Sequence, residues 1–434
     1  MTWLQRYRLW QYFRSSIWIL PALGIVVALG TVRFLHAIEV AMGWTLELDP
    51  STALTLLGTL ASSMFAFIVF VCSALLISVQ LASAQLTPRF IGIVLQNPAT
   101  KLTLTLFVFT FTLTLAALVR IKGAVPLLTA YAAVYSCLAS LCFFLYLVDK
   151  VCQALRPSGA LRMVARLGLE VVNNVYPRLL SASQDRIPEP AKVVYREPRC
   201  SIPNFREGVV LAFDMEGLVT LAQRADCVIE MVPQVGDFVA AEQPLFRIFG
   251  HGSIPPAAAL HQSVAVGPER TLQQDPAFAF RIMVDIASKG LSPAINDPTT
   301  AVLAIDQIHH LLRHVGSRHL DEGQKRDAHG SVRLVYRTPA WEDFVHLAVT
   351  EVRQFGGTSI QVARRLRGML ENLIQTLPQE RTAVLRRELD LLDRSAKRFF
   401  PDAEDRAMAD VSDSQGVGGK PAPNETRTAG RPAP

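Results

Sequence analysis

Hydrocarbon offers a peptide backbone no hydrogen-bond partner, so a chain with repeated apolar runs of about twenty residues crosses it as helices or as a closed barrel. Four such runs fall within roughly the first 150 residues. They read "IWILPALGIVVALGTV" from Ile17, "ALTLLGTLASSMFAFIVFVCSALLISVQLASA" from Ala53, "LTLTLFVFTFTLTLAALV" from Leu102 and "AVPLLTAYAAVYSCLASLCFFLYLV" from Ala124. With their flanks they predict spans over about 15–37, 53–84, 102–119 and 124–148. The third alternates Thr and Phe as a strand would, but a lone strand leaves its backbone unpaired in lipid, so a helix is expected. At 1.5 Å per residue the second run is ~48 Å long, more than a ~30 Å hydrocarbon layer needs, and should project toward Pro88.

Mean hydropathy is +0.27 although 18% of residues are charged. The contradiction resolves once the charge is seen to lie mostly beyond the fourth run. The fold class that follows is a membrane protein, with four transmembrane helices over 1–150 and a cytoplasmic α+β domain after them. Basic residues precede the first run as in a cleaved leader. No small-x-small cleavage site follows, and the three later spans make removal unnecessary, so it is read as an anchor.

Orientation rests on Lys and Arg at the span ends. Arg6, Arg8 and Arg14 precede the first span, Arg89 and Lys101 lie between the second and third, and Lys150, Arg156, Arg162 and Arg166 follow the fourth. The other side has Arg33, Arg120 and Lys122 beside acidic Glu39, Glu47 and Asp49. The majority puts both termini in the cytoplasm of a plasma (inner) membrane protein. The six cysteines contain no CxxC pair and suit a reducing compartment as free thiols. Much of the net charge of +6 is juxtamembrane, where it faces anionic lipid. No nucleic-acid-reading motif is seen, so the expected partner is the bilayer and not a nucleic acid.

Residues 151–206 read as an amphipathic juxtamembrane helix, with Leu161, Val164, Leu167 and Val171 on one face, followed by a Pro-rich linker. Residues 207–270 read as a small β-rich module: strand Val209–Phe213, a short helix near Met215–Gln223, strand Cys227–Val232, and a strand from Phe238 to Phe249 broken near Pro244. Its last part resembles barrel-sandwich domains such as lipoyl carriers. It holds no lysine, which removes a swinging-arm role. Residues 271–401 read as mainly helical, and 402–434 as a disordered tail poor in aromatics.

The densest turn is "SKGLSPAINDPTTAV", from Ser288. Asp275-Pro276 and Asp297-Pro298 each place an N-cap carboxylate before a proline that loses no useful donor, and Gly290 is expected as C′ of the first helix. On that helix Arg281, Asp285 and Lys289 follow at i, i+4 and i+8 and can form a chain of ion pairs, beside an apolar stripe of Phe278, Ile282 and Ile286. Joint geometry explains most of the turn. Lys289, Ser292, Asn296 and Asp297 around a helix N-terminus, with Arg281 and Asp285, make it a candidate binding or interface site.

In the second span Ser62, Ala66, Val69, Ser73, Leu76, Gln80, Ser83 and Thr87 recur at steps of four and three. Ser73, Gln80, Ser83 and Thr87 thus become candidate lining residues of a hydrated path, and Thr103, Thr110 and Thr114 do likewise in the third span; small and hydroxyl residues equally serve helix packing. His309, His310, His314 and His319 invite a metal reading. No Cys joins them, and Asp306 and Asp321 complete no recognised spacing, so a polar helix face is expected and no metal. No P-loop, GxGxxG, HExxH or catalytic-triad order is present, so neither cofactor nor enzymatic activity is expected.

The segments "QLASAQLTPRFIG", "VGDFVAAEQPL", "GPERTLQQDPAFAFRIMVDIA" and "KGLSPAINDPTTAV", in this order, resemble the bacterial predicted-membrane-protein family known as domain of unknown function 2254, over about residues 10 to 375. Ala294 stands where that family usually has glycine, and Thr299 where an aromatic is common. The resemblance implies four spans and a cytoplasmic domain, and no activity. The leading expectation is a homo-oligomeric, channel-like protein with a cytoplasmic gating domain. The alternative is a non-transporting scaffold or sensor that binds a partner or small anion at the "SPAINDP" turn.

Overall fold

The computed structural model describes residues 1–46, 49–95, 98–121, 125–180, 197–320 and 323–418. Glu47, Lys122, linker residues 181–196, Asp321 and residues 419–434 lie outside that set, and so do the readings resting on them. The chain forms two compact units, Tyr7–Ala160 and Leu161–Pro434 with Met1–Arg6.

The first unit is helical. It takes in α1 (Trp3–Ser15) from Tyr7 onward, rich in aromatics and arginine, and α2 (Ile19–Met42), which ends on Gly43 at φ 65°, its N–H returned to Glu39 O. Then come β1 (Thr45–Leu46), α3 (Pro50–Gln85), α4 (Pro88–Leu95), α5 (Pro98–Arg120), β2 (Val125–Pro126) and α6 (Leu127–Leu155). α2, α3, α5 and α6 are long and apolar enough to cross a membrane. The first starts at Ile19 rather than near 15, because residues through Ser15 belong to the separate α1. Proline opens α3, α4 and α5, where its missing N–H costs nothing. α5 packs on α2, α3 and α6, so its buried threonines sit between helices: Thr110 Oγ1 is 3.0 Å from Ser140 Oγ, and Thr114 donates to Thr110 O at 2.7 Å. Those threonines are packing groups.

Charges mark the two ends of this unit. Lys101 Nζ donates to the carbonyls of Phe13 (3.3 Å) and Arg14, placing a cation at the C-terminus of α1. Glu39 accepts the Thr129 N–H at 2.8 Å, an anion in the first turn of α6. Lys101 and Arg120 lie on one helix, about 28 Å apart along its axis, close to the thickness of a hydrocarbon layer.

The second unit continues with α7 (Pro157–Val175), β3 (Cys200–Pro203), β4 (Gly208–Phe213), α8 (Met215–Arg224), β5 (Val228–Met231), β6 (Phe238–Val239), β7 (Pro244–Phe249), α9 (Ala257–His261) and β8 (Val264–Gly267). It ends with α10 (Pro276–Gly290), α11 (Pro298–Gly316), β9 (Gln324–Arg326), β10 (Val332–Tyr336), α12 (Trp341–Phe355), α13 (Ile360–Thr376), α14 (Thr382–Phe399) and α15 (Ala403–Ala409).

Its strands form two sheets, ordered β3-β7-β5-β10-β9 and β6-β4-β8. The β module expected over 207–270 is therefore not self-contained. β5 carries buried Ile229 and Met231 and takes β10 as a parallel neighbour, with Leu334 opposite Ile229 and Tyr336 opposite Met231. The two sheets share one apolar core with α8, in which Val210, Leu218, Ile229, Phe246 and Leu334 are buried.

Residues 402–418, expected within a disordered tail, fold back on α13. Its buried Arg364 donates to Val411 O and Gly418 O, and buried Arg367 donates to Ala409 O and to Asp393 and Asp410. Guanidiniums out of water need acceptors, and this segment supplies carbonyls.

Candidate functional site

α3 has two unlike faces. Ala53, Leu57, Ala61, Met64, Val71, Ser78 and Ala82 are buried in the bundle, whereas Ser62, Ala66, Val69, Cys72, Ser73, Leu76 and Gln80 are exposed. The periodic stripe is thus the outward face of the unit. It also divides: Ser83 is half-buried and Thr87 buried, because the helix ends at Gln85 and the chain turns into α4. Thr87 Oγ1 accepts the Arg89 N–H at 3.4 Å.

Depth along the bundle follows from the Phe67 contacts, 6.1 Å to Phe107 and 5.1 Å to Phe144 between ring centroids. Ser73, Lys101 and Lys150 each lie six residues from that layer, about 9 Å along their own helices and in one direction. Gln80 is a further ~10 Å beyond them. The amide therefore sits outside the level of the lysines and not in the middle of an apolar layer. Hydroxyls nearer the middle are satisfied within the helix, Ser62 by Gly58 O at 2.9 Å and Ser63 by Thr59 O at 2.8 Å.

In the second unit Asp275 and Asp297 both cap as expected, accepting Phe278 N–H and Thr300 N–H at 3.1 Å. Burial pushes the Asp275 carboxyl up, against the adjacent Arg270 guanidinium at 2.7 Å. Gly290 is the last residue of α10 rather than C′. What constrains it is steric, since a Cβ there would lie 3.1 Å from Asp297 O and press that carbonyl away by a few tenths of an ångström. Ser292 Oγ donates to Lys289 O at 2.7 Å, Asn296 N–H to Ser292 O at 2.8 Å and Asp297 N–H to Gly290 O at 2.7 Å. Asn296 has φ 48°, so the left-handed position is Asn296 and Ala294 fits its place. Residues 293–296 are exposed on this fixed frame, and Ser288 Oγ is buried without a hydrogen-bond partner.

Arg281 and Asp285 meet as the i, i+4 spacing implied, at 2.6 Å. Glu351 on α12, which the spacing could not reveal, completes the group with bonds of 2.6 and 2.7 Å to Arg281 Nη1 and Nη2. The Glu351 bonds hold the Arg281 guanidinium above its usual range. A second buried group also escaped the sequence. Glu388 accepts from Arg353 Nε at 3.4 Å and lies 3.0 Å from His346 Nδ1. Of the histidines expected on a polar helix face, His309 pairs with Asn372 (2.9 Å) and His314 with Asn173 (2.7 Å). No cluster able to hold a metal occurs among the described residues.

Comparison with known proteins adds the following. The family model described as a predicted membrane protein, domain of unknown function 2254, matches residues 14–372. Uncharacterized proteins of Mycobacterium tuberculosis and Mycobacterium bovis are each 26% identical over 418 residues, covering 92% of this chain and 79% of the relative. No solved structure matches.

Proposed function

Since the chain belongs to the family of predicted membrane proteins described as domain of unknown function 2254, we propose that it is an integral membrane protein that self-associates through the open face of α3 and serves as a homo-oligomeric scaffold. The observation that carries this reading is the exposure of Ser62, Ala66, Ser73 and Gln80 on one side of a spanning helix that buries Leu57, Ala61, Met64, Val71 and Ser78 in the bundle. Small residues let helices approach closely in lipid, and polar ones gain partners across such a contact. Lys101 and Lys150 at one level suit the cytoplasmic boundary of an inner membrane, with both termini on that side. The exposed turn 293–296, held by its own hydrogen bonds, is the partner-facing element of the scaffold.

Cys72 lies within the open face, so oxidation of native membranes tests the reading directly. Covalent dimers should form and should vanish in Cys72→Ser. Monomers only, at every oxidant level, would end it. The exposure of Ser73 and Gln80 also favours a second reading, in which the assembled faces line a path. Solute flux in liposomes that changes in Gln80→Leu would select the path over the scaffold.

A further inference from the structure

The helices α2 and α5 run in the same direction and stay packed along their length, with Ala28 and Val32 buried in one cluster with Leu113 and Ala117. At Gly24 they are in contact, for a Cβ there would lie 3.0 Å from Thr105 O. Gly30 lies on the exposed side of α2, where a Cβ would meet nothing within 4 Å. Along the exposed seam of the two helices lies a groove of about 490 Å³, walled by Val26, Leu29, Gly30 and Ala116, with Arg33 and Arg120 also in its lining.

We propose that this groove is a binding site for an anionic phospholipid, with one acyl chain along the apolar wall and the phosphate between the two guanidiniums. The proposal rests on the helices crossing a bilayer and is independent of the α3 face.

Three features converge on that occupant. The wall is apolar and open on the surface of two spanning helices, where the surrounding solvent is acyl chain. Arg120 lies about 28 Å along α5 from Lys101, so the guanidiniums stand at the opposite boundary, at headgroup depth. Among the described residues neither guanidinium pairs with a carboxylate, and Arg120 Nη1 donates to Val32 O at 3.1 Å. The nearby acid, Glu39, is instead engaged with Thr129, its other close neighbour being His36 at 3.9 Å. Two guanidiniums match phosphate oxygens with charge-assisted hydrogen bonds. A zwitterionic headgroup would bring its own ammonium toward them, so a lipid of net negative charge is preferred.

Native mass spectrometry of the full chain in detergent provides the test, with phosphatidylglycerol and phosphatidylcholine of the same acyl chains added in turn. Phosphatidylglycerol should be retained about tenfold more tightly, the difference one strong ionic hydrogen bond makes. Arg33→Gln with Arg120→Gln should abolish the preference. Gly30→Leu, which fills the groove and leaves both charges, should lower retention of either lipid. Equal retention of the two lipids, or retention unaffected by these variants, overturns the site. Displacement of the lipid by millimolar inorganic phosphate alone also overturns it, in favour of a free-anion site. Protein that stays dispersed without detergent would remove the membrane reading along with it, whereas detergent-dependent protein lacking the preference removes only the lipid site.

Discussion

Arg281 of α10 sets two nitrogens against the two carboxylate oxygens of Glu351 on α12, at 2.6 and 2.7 Å, in a fork-to-fork pair seventy residues apart in sequence. The same guanidinium holds Asp285, so one cation ties two helices together. Glu351 is more than a third exposed, and solvent screening limits the energy. Glu351→Ala should loosen the α10–α12 contact by about 1–2 kcal/mol. Hydrogen exchange of the α10 amides reads this as a rate increase of roughly five- to thirtyfold. Unchanged exchange would show that the pair contributes nothing.

The Asn296-Asp297 joint separates two small effects. Asp297→Ala removes the α11 cap and should cost about 1 kcal/mol. Asn296→Val forces a β-branched residue to a φ of 48° and should cost about 1–2 kcal/mol, while Asn296→Gly should be tolerated. Thermal unfolding checks all three, and a destabilising Asn296→Gly would contradict the left-handed geometry.

The C-terminal strap is the largest expected effect. Ending the chain at Met408 strips Arg364 and Arg367 of most of their acceptors and should cost about 3 kcal/mol, or roughly 5–10 °C in the melting of the second unit. Burial pushes the Asp413 carboxyl up, but backbone N–H groups of Gln415, Gly416 and Gly418, with Arg364, outweigh it and hold it below its usual range. Asp413→Ala should reproduce part of the loss. A melting point that the truncation does not move would detach the strap from the fold.

Acid should destabilise the second unit through its histidines. Burial, then the Arg365 and Arg313 charges, push His309 below its ordinary value, against the Asn372 hydrogen bond that raises it; burial and Arg318 do the same to His314. A histidine depressed in the folded state binds fewer protons there than when unfolded. Stability is therefore complete above the unfolded value near 6.5 and falls as pH drops below it, by up to about 1.4 kcal/mol per pH unit for one group. Denaturant midpoints between pH 7.5 and 5.5 should show this slope, and His309→Gln should flatten it. A midpoint that rose toward acid would reverse the assignment.

Much of the local plan was legible. Strand Val332–Tyr336 and the two Asp-Pro caps follow from residues adjacent in the chain, because a carboxylate before a helix finds its own N–H donors wherever that helix goes. Gly290 misled for the opposite reason: its constraint comes from Asp297 O, which only the folded joint brings near. Residues 402–418 misled because composition counts their polar residues but not the arginines of α13 that need them.

What the order of residues determined alone is the set of four apolar helices, since the cost of exposing backbone to hydrocarbon acts on each run separately and runs of this length satisfy their backbone as helices without needing a closed barrel. Tertiary structure decided which side of α3 remains open, that β10 joins β5, and that Glu351 reaches Arg281. Those outcomes depend on side chains brought together from distant parts of the chain, and a one-dimensional periodicity marks a face without saying what will cover it.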